Sequence, residues 1–176
     1  MADFETAFKL TMKHEWGYAN DPADHGGETY MGISRKNWRG WDGWTDIDKI
    51  KSGHPQGEPL QKALANNADL QGRVKLFYKR NFWTPIMDEI DDQALVNWLF
   101  DKGVNMGIRR AYKLMQRALH VDEDGIIGPQ TRAQIRQTDP VQLLADCRDE
   151  AKRFYTNLAL HDPTQSRFLH GWLARA

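Results

Sequence analysis

Cysteine, net charge and strand-forming runs are all scarce in this sequence of 176 residues. The single cysteine, Cys147, excludes an intramolecular disulfide framework and a zinc site built from cysteines, and its apolar helical neighbours indicate a core residue. Lysine plus arginine and aspartate plus glutamate both number 24, so no overall field favours nucleic acid and we expect no such partner. Because the period-two alternation of strands is rare, the fold is predicted to be mainly α.

Long apolar runs are missing as well. No segment approaches the length of a transmembrane helix, so we expect no stable membrane insertion. The first twelve residues carry Asp3 and Glu5 and lack the basic and apolar regions of a secretory signal. The length of the chain fits one domain, or one domain with a small C-terminal appendage, and we expect a monomer.

Tryptophan, in contrast, is abundant, with seven residues. Trp38, Trp41 and Trp44 alternate with Gly40 and Gly43 in one short segment. Tryptophan stacks on sugar rings and also fills cores, and we favour a core or loop-anchoring role for this cluster.

Hydrophobic periodicity predicts most of the helices. Asp3 caps a first helix, and Asp91 or Asp92 caps a central helix that Gly107 ends. Residues 18–33 have turn chemistry with room for a short hairpin, and residues 38–59 are predicted to be irregular. The remaining predicted helices are 60–82, 93–106 (the central one), 111–119, a short one starting at Pro129, one starting at Pro140 with an apolar stripe from Leu144 to Leu158, and a short one at about 164–173. The first helix has its apolar stripe at Phe4, Ala7, Phe8, Thr11 and Met12.

Glu15 follows the first helix in an unusual position. At 100° per residue it falls about 20° from Phe4, within the apolar stripe. Burial and the negative end of the helix dipole would both raise the pKa of its carboxyl, which suits a general acid. The loop that follows carries Asp21, Asp24 and Thr29, and paired carboxyl groups are the minimal apparatus of glycoside hydrolysis. The residues alone leave a surface glutamate and an Asx turn as open alternatives.

The segment 15–33 reads Glu-Trp-Gly-Tyr-Ala-Asn-Asp-Pro-Ala-Asp-His-Gly-Gly-Glu-Thr-Tyr-Met-Gly-Ile. It resembles the signature of glycoside hydrolase family 108, whose members are N-acetylmuramidases, including phage endolysins and muramidases of some bacterial secretion systems. Trp16 stands where the family has glycine. The resemblance implies that Glu15 is the catalytic acid. The order Glu15, Asp24, Thr29 also looks like the catalytic trio of phage-type lysozymes, in which Asp and Thr position water and the reaction inverts the anomeric centre. Residues of the same segment predicted to bind substrate are Tyr18, Asn20 and Tyr30.

Two later segments extend the resemblance. Residues 100–107 are similar to the family's Asp-x-x-Val-Asn-x-Gly stretch, which makes Asp101 and Asn105 predicted substrate-binding residues, with Asn105 on an acetamido group. The alternative is that Asn105 helps to end the helix and Asp101 pairs with a core donor. Residues 114–135, with the run Asp-Gly-Ile-Ile-Gly-Pro at 124–129, resemble a small peptidoglycan-binding module.

These observations predict a mainly α fold: a lysozyme-like helical domain (1–107) with a short loop or hairpin after the first helix, and a small packed helical module (108–176). The resemblance implies an N-acetylmuramidase that cleaves the β-1,4 bond between N-acetylmuramic acid and N-acetylglucosamine in peptidoglycan glycan strands, in cell lysis or wall remodelling. We expect no metal or cofactor. We expect synthesis in the cytoplasm, release by a holin or secretion system, and action on the cell wall in the periplasm.

Two other functions compete with this one. A peptide-stem hydrolase, with or without zinc, could use His14 and Asp21, but the sequence has no HExxH motif. A calcium loop at residues 122–125 fails, because Ala133 stands where the bidentate glutamate belongs. A non-catalytic wall-binding protein would leave Glu15 dispensable.

Overall fold

The computed structural model describes residues 1–13, 17–20 and 27–176, and every side chain of these except those of Pro163 and Gln165. The prediction of a mainly helical fold is confirmed. The chain forms two compact units, one of residues 4–83 and one of residues 1–3 and 84–176. These units group residues 84–107 with the later helices, and the domain division at 107/108 stays a prediction.

The unit of residues 4–83 combines four helices with a small antiparallel sheet among its described residues. The strands lie in chain order, so the sheet is a meander. Its elements are α1 (Phe4–Met12), β1 (Tyr18–Ala19), β2 (Thr29–Tyr30), β3 (Ile33–Ser34), α2 (Gly43–Gly53), α3 (Glu58–Ala65) and α4 (Ala68–Phe82).

Two predictions for this unit are wrong. Residues 38–59 were expected to be irregular, but α2 forms there because Trp44 and Ile47 bury one face of the segment, and tertiary packing outweighs the poor helix propensity of its glycines. The expected single helix over 60–82 is two helices. Asn67 separates them, since its side chain accepts the backbone N–H of Leu70 at 2.9 Å as an N-cap.

The core of this unit joins α1 and the sheet to α3 and α4. In α1, Phe4, Ala7 and Thr11 are buried, as the predicted stripe requires. The Phe8 ring lies 5.8 Å from that of Tyr78 in α4. The other fully or nearly fully buried apolar residues are Tyr18, Tyr30, Ile33, Trp44, Ile47, Leu60, Leu64, Leu70, Val74 and Phe77.

In the described part of the unit of residues 84–176, the regular elements are all helices. Its elements are α5 (Pro85–Glu89), α6 (Gln93–Met106), α7 (Ile108–Ala118), α8 (Pro129–Gln137), α9 (Pro140–His161), a 3-10 turn (Pro163–Phe168) and α10 (Leu169–Arg175). The predicted central helix matches α6 at both ends. The Asp92 side chain caps it by accepting from Leu95 N at 2.7 Å, and Gly107, at φ 90°, ends it.

Helices α6, α7 and α9 pack against one another to form the core of this unit. Leu99, Met115 and Cys147, one from each helix, have no exposed surface. The buried Gln116 of α7 organises the loop before α8: its Oε1 accepts from Gly125 N at 2.8 Å and its Nε2 donates to Asp124 Oδ1 at 2.7 Å. The Asp-Gly motif therefore has a structural role. In the part of the chain that the structure describes, no helix is both long and apolar enough to cross a membrane.

Candidate active site

The sheet carries one of the three predicted catalytic residues. Thr29 begins β2, the middle strand. Glu15 and Asp24 lie outside the described residues, and so do His14 and Asp21, which a metal-dependent alternative would use.

The register of the sheet assigns its side chains to two faces. Thr29 pairs with Ala19 on one side and with Ser34 on the other. Because neighbouring side chains in a strand alternate between faces, these three share one face. Ala19 is exposed, and Thr29 and Ser34 are half-buried. The opposite face is buried and consists of Tyr18, Tyr30 and Ile33. Thr29 thus lies on the open face of the sheet.

A tight turn fixes the position of β2. Met31 and Gly32 have φ values of 45° and 79°, as a two-residue type I′ hairpin requires. The Met31 N–H donates to Gly17 O at 2.9 Å, and the Tyr78 hydroxyl donates to Met31 O at 2.6 Å. The turn is held by the residue before β1 and by α4, so the strand that carries Thr29 is anchored on both sides.

A glutamine side chain fixes the backbone at the start of β1. Gln61 of α3 accepts from Tyr18 N at 2.9 Å and donates to Tyr18 O at 2.5 Å. A Cβ on Gly17 would overlap the Gln61 amide, so this approach requires glycine. The two hydrogen bonds to Gln61 hold the backbone of Tyr18, three residues after Glu15.

Two of the predicted substrate-binding residues face the core. Tyr30 is 2% exposed and its hydroxyl accepts from Gln71 Nε2 at 2.7 Å. Tyr18 is 8% exposed and its hydroxyl donates to Glu28 Oε1 at 2.7 Å. Burial raises the pKa of both phenols, which keeps them as hydroxyl donors or acceptors at neutral pH. Asn20, by contrast, is exposed directly after β1. Substrate binding by these three residues stays a prediction.

A charged cluster around Glu28 was missed in the sequence. Its carboxylate is 11% exposed and accepts from Lys51 Nζ at 2.6 Å and from the Tyr18 hydroxyl at 2.7 Å, and it forms an ion pair with Arg35, whose Nε lies 3.1 Å away. Arg35 also contacts Asp48 at 2.8 Å. The partner of Glu28 in α2 is distant in sequence. The only local sign of the cluster was an acidic residue directly before Thr29. The cluster ties the sheet to α2.

A cavity of about 620 Å³ lies between Glu28, the segment that follows β3 and α2. We call it the α2 pocket, and its lining includes Glu28, Arg35, Lys36, Arg39, Trp41 and Asp48. Basic side chains and an indole thus share one concave surface within this unit.

The tryptophan cluster anchors the wall of this pocket. Trp44 is 5% exposed, and its Nε1 donates to Trp38 O at 2.8 Å. The Trp41 ring packs edge-on against that of Trp44 at 5.2 Å, and both Trp38 and Trp41 contact the Phe77 ring. These contacts fit the anchoring role favoured above, although Trp38 is 40% exposed.

In the unit of residues 84–176, Asp101 and Asn105 have partners within the protein. Asp101 accepts from Arg175 Nη2 at 2.8 Å and from Lys102 Nζ at 3.2 Å. Asn105 is exposed, and its Oδ1 accepts from the Tyr155 hydroxyl at 2.8 Å. Asp101 therefore has the core-donor pairing that was the alternative to substrate contact. Substrate binding by either residue stays a prediction.

Over residues 1–13, 17–20 and 27–176, no three histidine, cysteine or acidic residues are placed to hold a metal ion.

Comparison with known proteins identifies the chain. The family model described as "Glycosyl hydrolase 108" matches residues 8–107, and the one described as "Predicted Peptidoglycan domain" matches residues 110–176. The structure resembles that of Brucella abortus SagA with a TM-score of 0.67 and 25% identity, over 98% of this chain and 88% of that one. No curated protein has a significant match. The first match spans more than half of the chain and includes the whole segment 15–33. The chain therefore belongs to glycoside hydrolase family 108, and it is a glycoside hydrolase that acts on peptidoglycan.

Proposed function

We propose that the protein is an N-acetylmuramidase that hydrolyses the β-1,4 bond between N-acetylmuramic acid and N-acetylglucosamine. Glu15 is the general acid, and Asp24 with Thr29 positions the attacking water. The observation that carries the proposal is the family match over residues 8–107, which contains the three residues in the order of the family signature.

The chemistry follows from the properties of these groups. Glu15, protonated, donates its proton to the glycosidic oxygen, and the bond from that oxygen to the anomeric carbon breaks. Asp24 takes a proton from the water that attacks the anomeric carbon from the opposite side of the sugar ring, so the configuration inverts. The Thr29 hydroxyl accepts or donates one hydrogen bond and so can orient this water. Its place on the open face of an anchored strand supports this role.

The test is muropeptide analysis of purified cell walls treated with wild type and with Glu15→Gln. We expect new reducing ends at muramic acid with the wild type, and a loss of at least about 100-fold with Glu15→Gln, because amide and carboxylic acid have the same shape but the amide has no acidic proton. Glu58→Gln is the matched control, since Glu58 is an exposed helix residue with one surface ion pair. It should retain full activity.

Other products would reject the proposal in distinct ways. New amino groups without reducing ends would indicate a peptide-stem hydrolase, and loss of activity with a chelator alone would indicate a metal enzyme. Full activity of Glu15→Gln would exclude Glu15 as the acid. Retention in the anomer released first would contradict the water-activating role of Asp24.

A further inference from the structure

The α2 pocket has cationic side chains that nothing in the described structure neutralises. Its lining carboxylates already have cationic partners: Glu28 binds Lys51 and Arg35, and Asp48 binds Arg35. Asp42, which also lines the pocket, binds Arg73.

Two lining cations differ from Arg35 in this respect. Lys36 and Arg39 are exposed, and among the ion pairs and hydrogen bonds of residues 1–13, 17–20 and 27–176 neither has a partner. Their donors are therefore free for an anion that enters the pocket. Arg35 is held rigid on its other side, with its guanidinium carbon 4.6 Å above the Trp44 ring.

We propose that the α2 pocket binds a carboxylate of the peptide stem of peptidoglycan. This inference rests on the proposed function. The sugars of the glycan strand offer hydroxyl and acetamido groups, which are neutral, whereas the stem attached to muramic acid carries free carboxylates. Lysine and arginine form charge-assisted hydrogen bonds with carboxylates, and arginine can do so with two donors at once. The Trp41 indole contacts the aliphatic part of a stem residue.

The distances allow this arrangement. Thr29 lies in the middle strand, and the pocket begins beyond the edge strand β3, with Arg35 directly after it. Neighbouring strands are roughly 4.8 Å apart. A stem of about four residues, at roughly 3.4 Å per residue, spans about 13 Å. A stem that leaves a sugar on the open face of the sheet reaches the α2 pocket by passing round the edge strand β3.

The first experiment measures binding without cleavage. A synthetic stem tetrapeptide with free carboxylates and the same peptide with its carboxylates amidated are titrated separately into the full chain. The readouts are calorimetry and the NMR signal of the Trp41 indole N–H. We expect the free form to bind about tenfold more tightly than the amidated form, and added salt to reduce this difference. Equal affinity for the two forms, or no binding of the free form, would overturn the proposal.

Two double variants locate the binding site. Lys36→Gln/Arg39→Gln should abolish the preference for the free form, whereas Lys49→Gln/Lys62→Gln, which removes two exposed cations outside the pocket, should leave it unchanged. All four side chains are exposed, so both proteins should keep the thermal stability of the wild type, which circular dichroism checks. A preference that survives in the first variant excludes the α2 pocket.

A kinetic experiment separates this proposal from the proposed function. Release of reducing ends is measured on glycan that bears stems with free or with amidated carboxylates. If the stem contributes to binding, Lys36→Gln/Arg39→Gln raises KM for the free form by several-fold and leaves the amidated form unaffected. If the wild type releases no reducing ends from either substrate, the muramidase function fails, while the binding experiment still tests the pocket.

Discussion

Lys102 is a lysine with no exposure to solvent. Its ammonium group donates to Asp101 Oδ2 at 3.2 Å and to the backbone carbonyl of Arg175, and it lies 5.9 Å from the centre of the Tyr155 ring. Burial lowers its pKa, and the charge of Asp101 offsets part of that effect. Removing a lysine from water is unfavourable, so this residue limits the stability of its unit at neutral pH.

The pH dependence of stability tests this environment. At pH values between the lowered pKa of folded Lys102 and the pKa of about 10.4 in an unfolded chain, the unfolded state binds more protons than the folded state. The free energy of unfolding therefore increases as the pH rises through this range. We expect the free energy of unfolding of the wild type to increase relative to that of Lys102→Met between pH 7 and pH 10, by at most about 1.4 kcal/mol per pH unit. Urea unfolding at several pH values measures this difference.

The control for this prediction is Lys152→Met. Lys152 is 51% exposed in α9, so its difference from the wild type should not change with pH in the same range. A constant difference between wild type and Lys102→Met would contradict the lowered pKa.

At the scale of elements, Glu28 connects the sheet to α2. The Glu28 carboxylate is 11% exposed, accepts hydrogen bonds from Tyr18 and Lys51, and forms an ion pair with Arg35. In Glu28→Gln the side chain keeps its shape but loses its charge, which leaves the half-buried Lys51 and Arg35 with the more exposed Asp48 as their remaining anion. We expect the free energy of unfolding of the unit to fall by about 2 kcal/mol, as measured by urea unfolding.

Glu58→Gln provides the comparison. Its carboxylate also accepts from a lysine at 2.6 Å but is 76% exposed, so stability should hardly change. Equal effects of the two substitutions would show that burial of the Glu28 cluster adds nothing to the stability of the unit.

Elements whose signals are local could be predicted from the sequence. Helix α6 agrees with its prediction at both ends, because Asp92 caps it and Gly107 ends it within the segment itself. Helix α2 was missed, because its glycines have poor helix propensity and the packing of Trp44 and Ile47 depends on distant partners. The break between α3 and α4 has a local cause in the Asn67 cap, a signal that the apolar periodicity on either side obscured.

At the scale of the whole molecule, Cys147 reports on unfolding. It is free and has no exposed surface, and burial raises the pKa of its thiol. A thiol reagent can reach it only when the helices around it open. We expect labelling of the native protein to be at least about 1,000-fold slower than labelling in urea.

An exposed thiol calibrates this measurement. Ser52→Cys in a Cys147→Ser background places the thiol on the exposed side of α2, where the native protein should react almost as fast as the unfolded chain. Rapid labelling of Cys147 in the native protein would contradict the packed core of α6, α7 and α9.

The sequence by itself determined the mainly helical class, the central helix and the family, because periodicity, caps and a contiguous signature are local properties of the chain. It also singled out Glu15 as the candidate acid. Only the tertiary structure decided which faces of the sheet are open, that Asp101 pairs with Arg175 and Lys102, and that Glu28, Lys51 and Arg35 form one cluster. The contacts of Asp101 with Arg175 and of Glu28 with Lys51 join residues far apart in the chain, so their geometry depends on packing that no local pattern encodes.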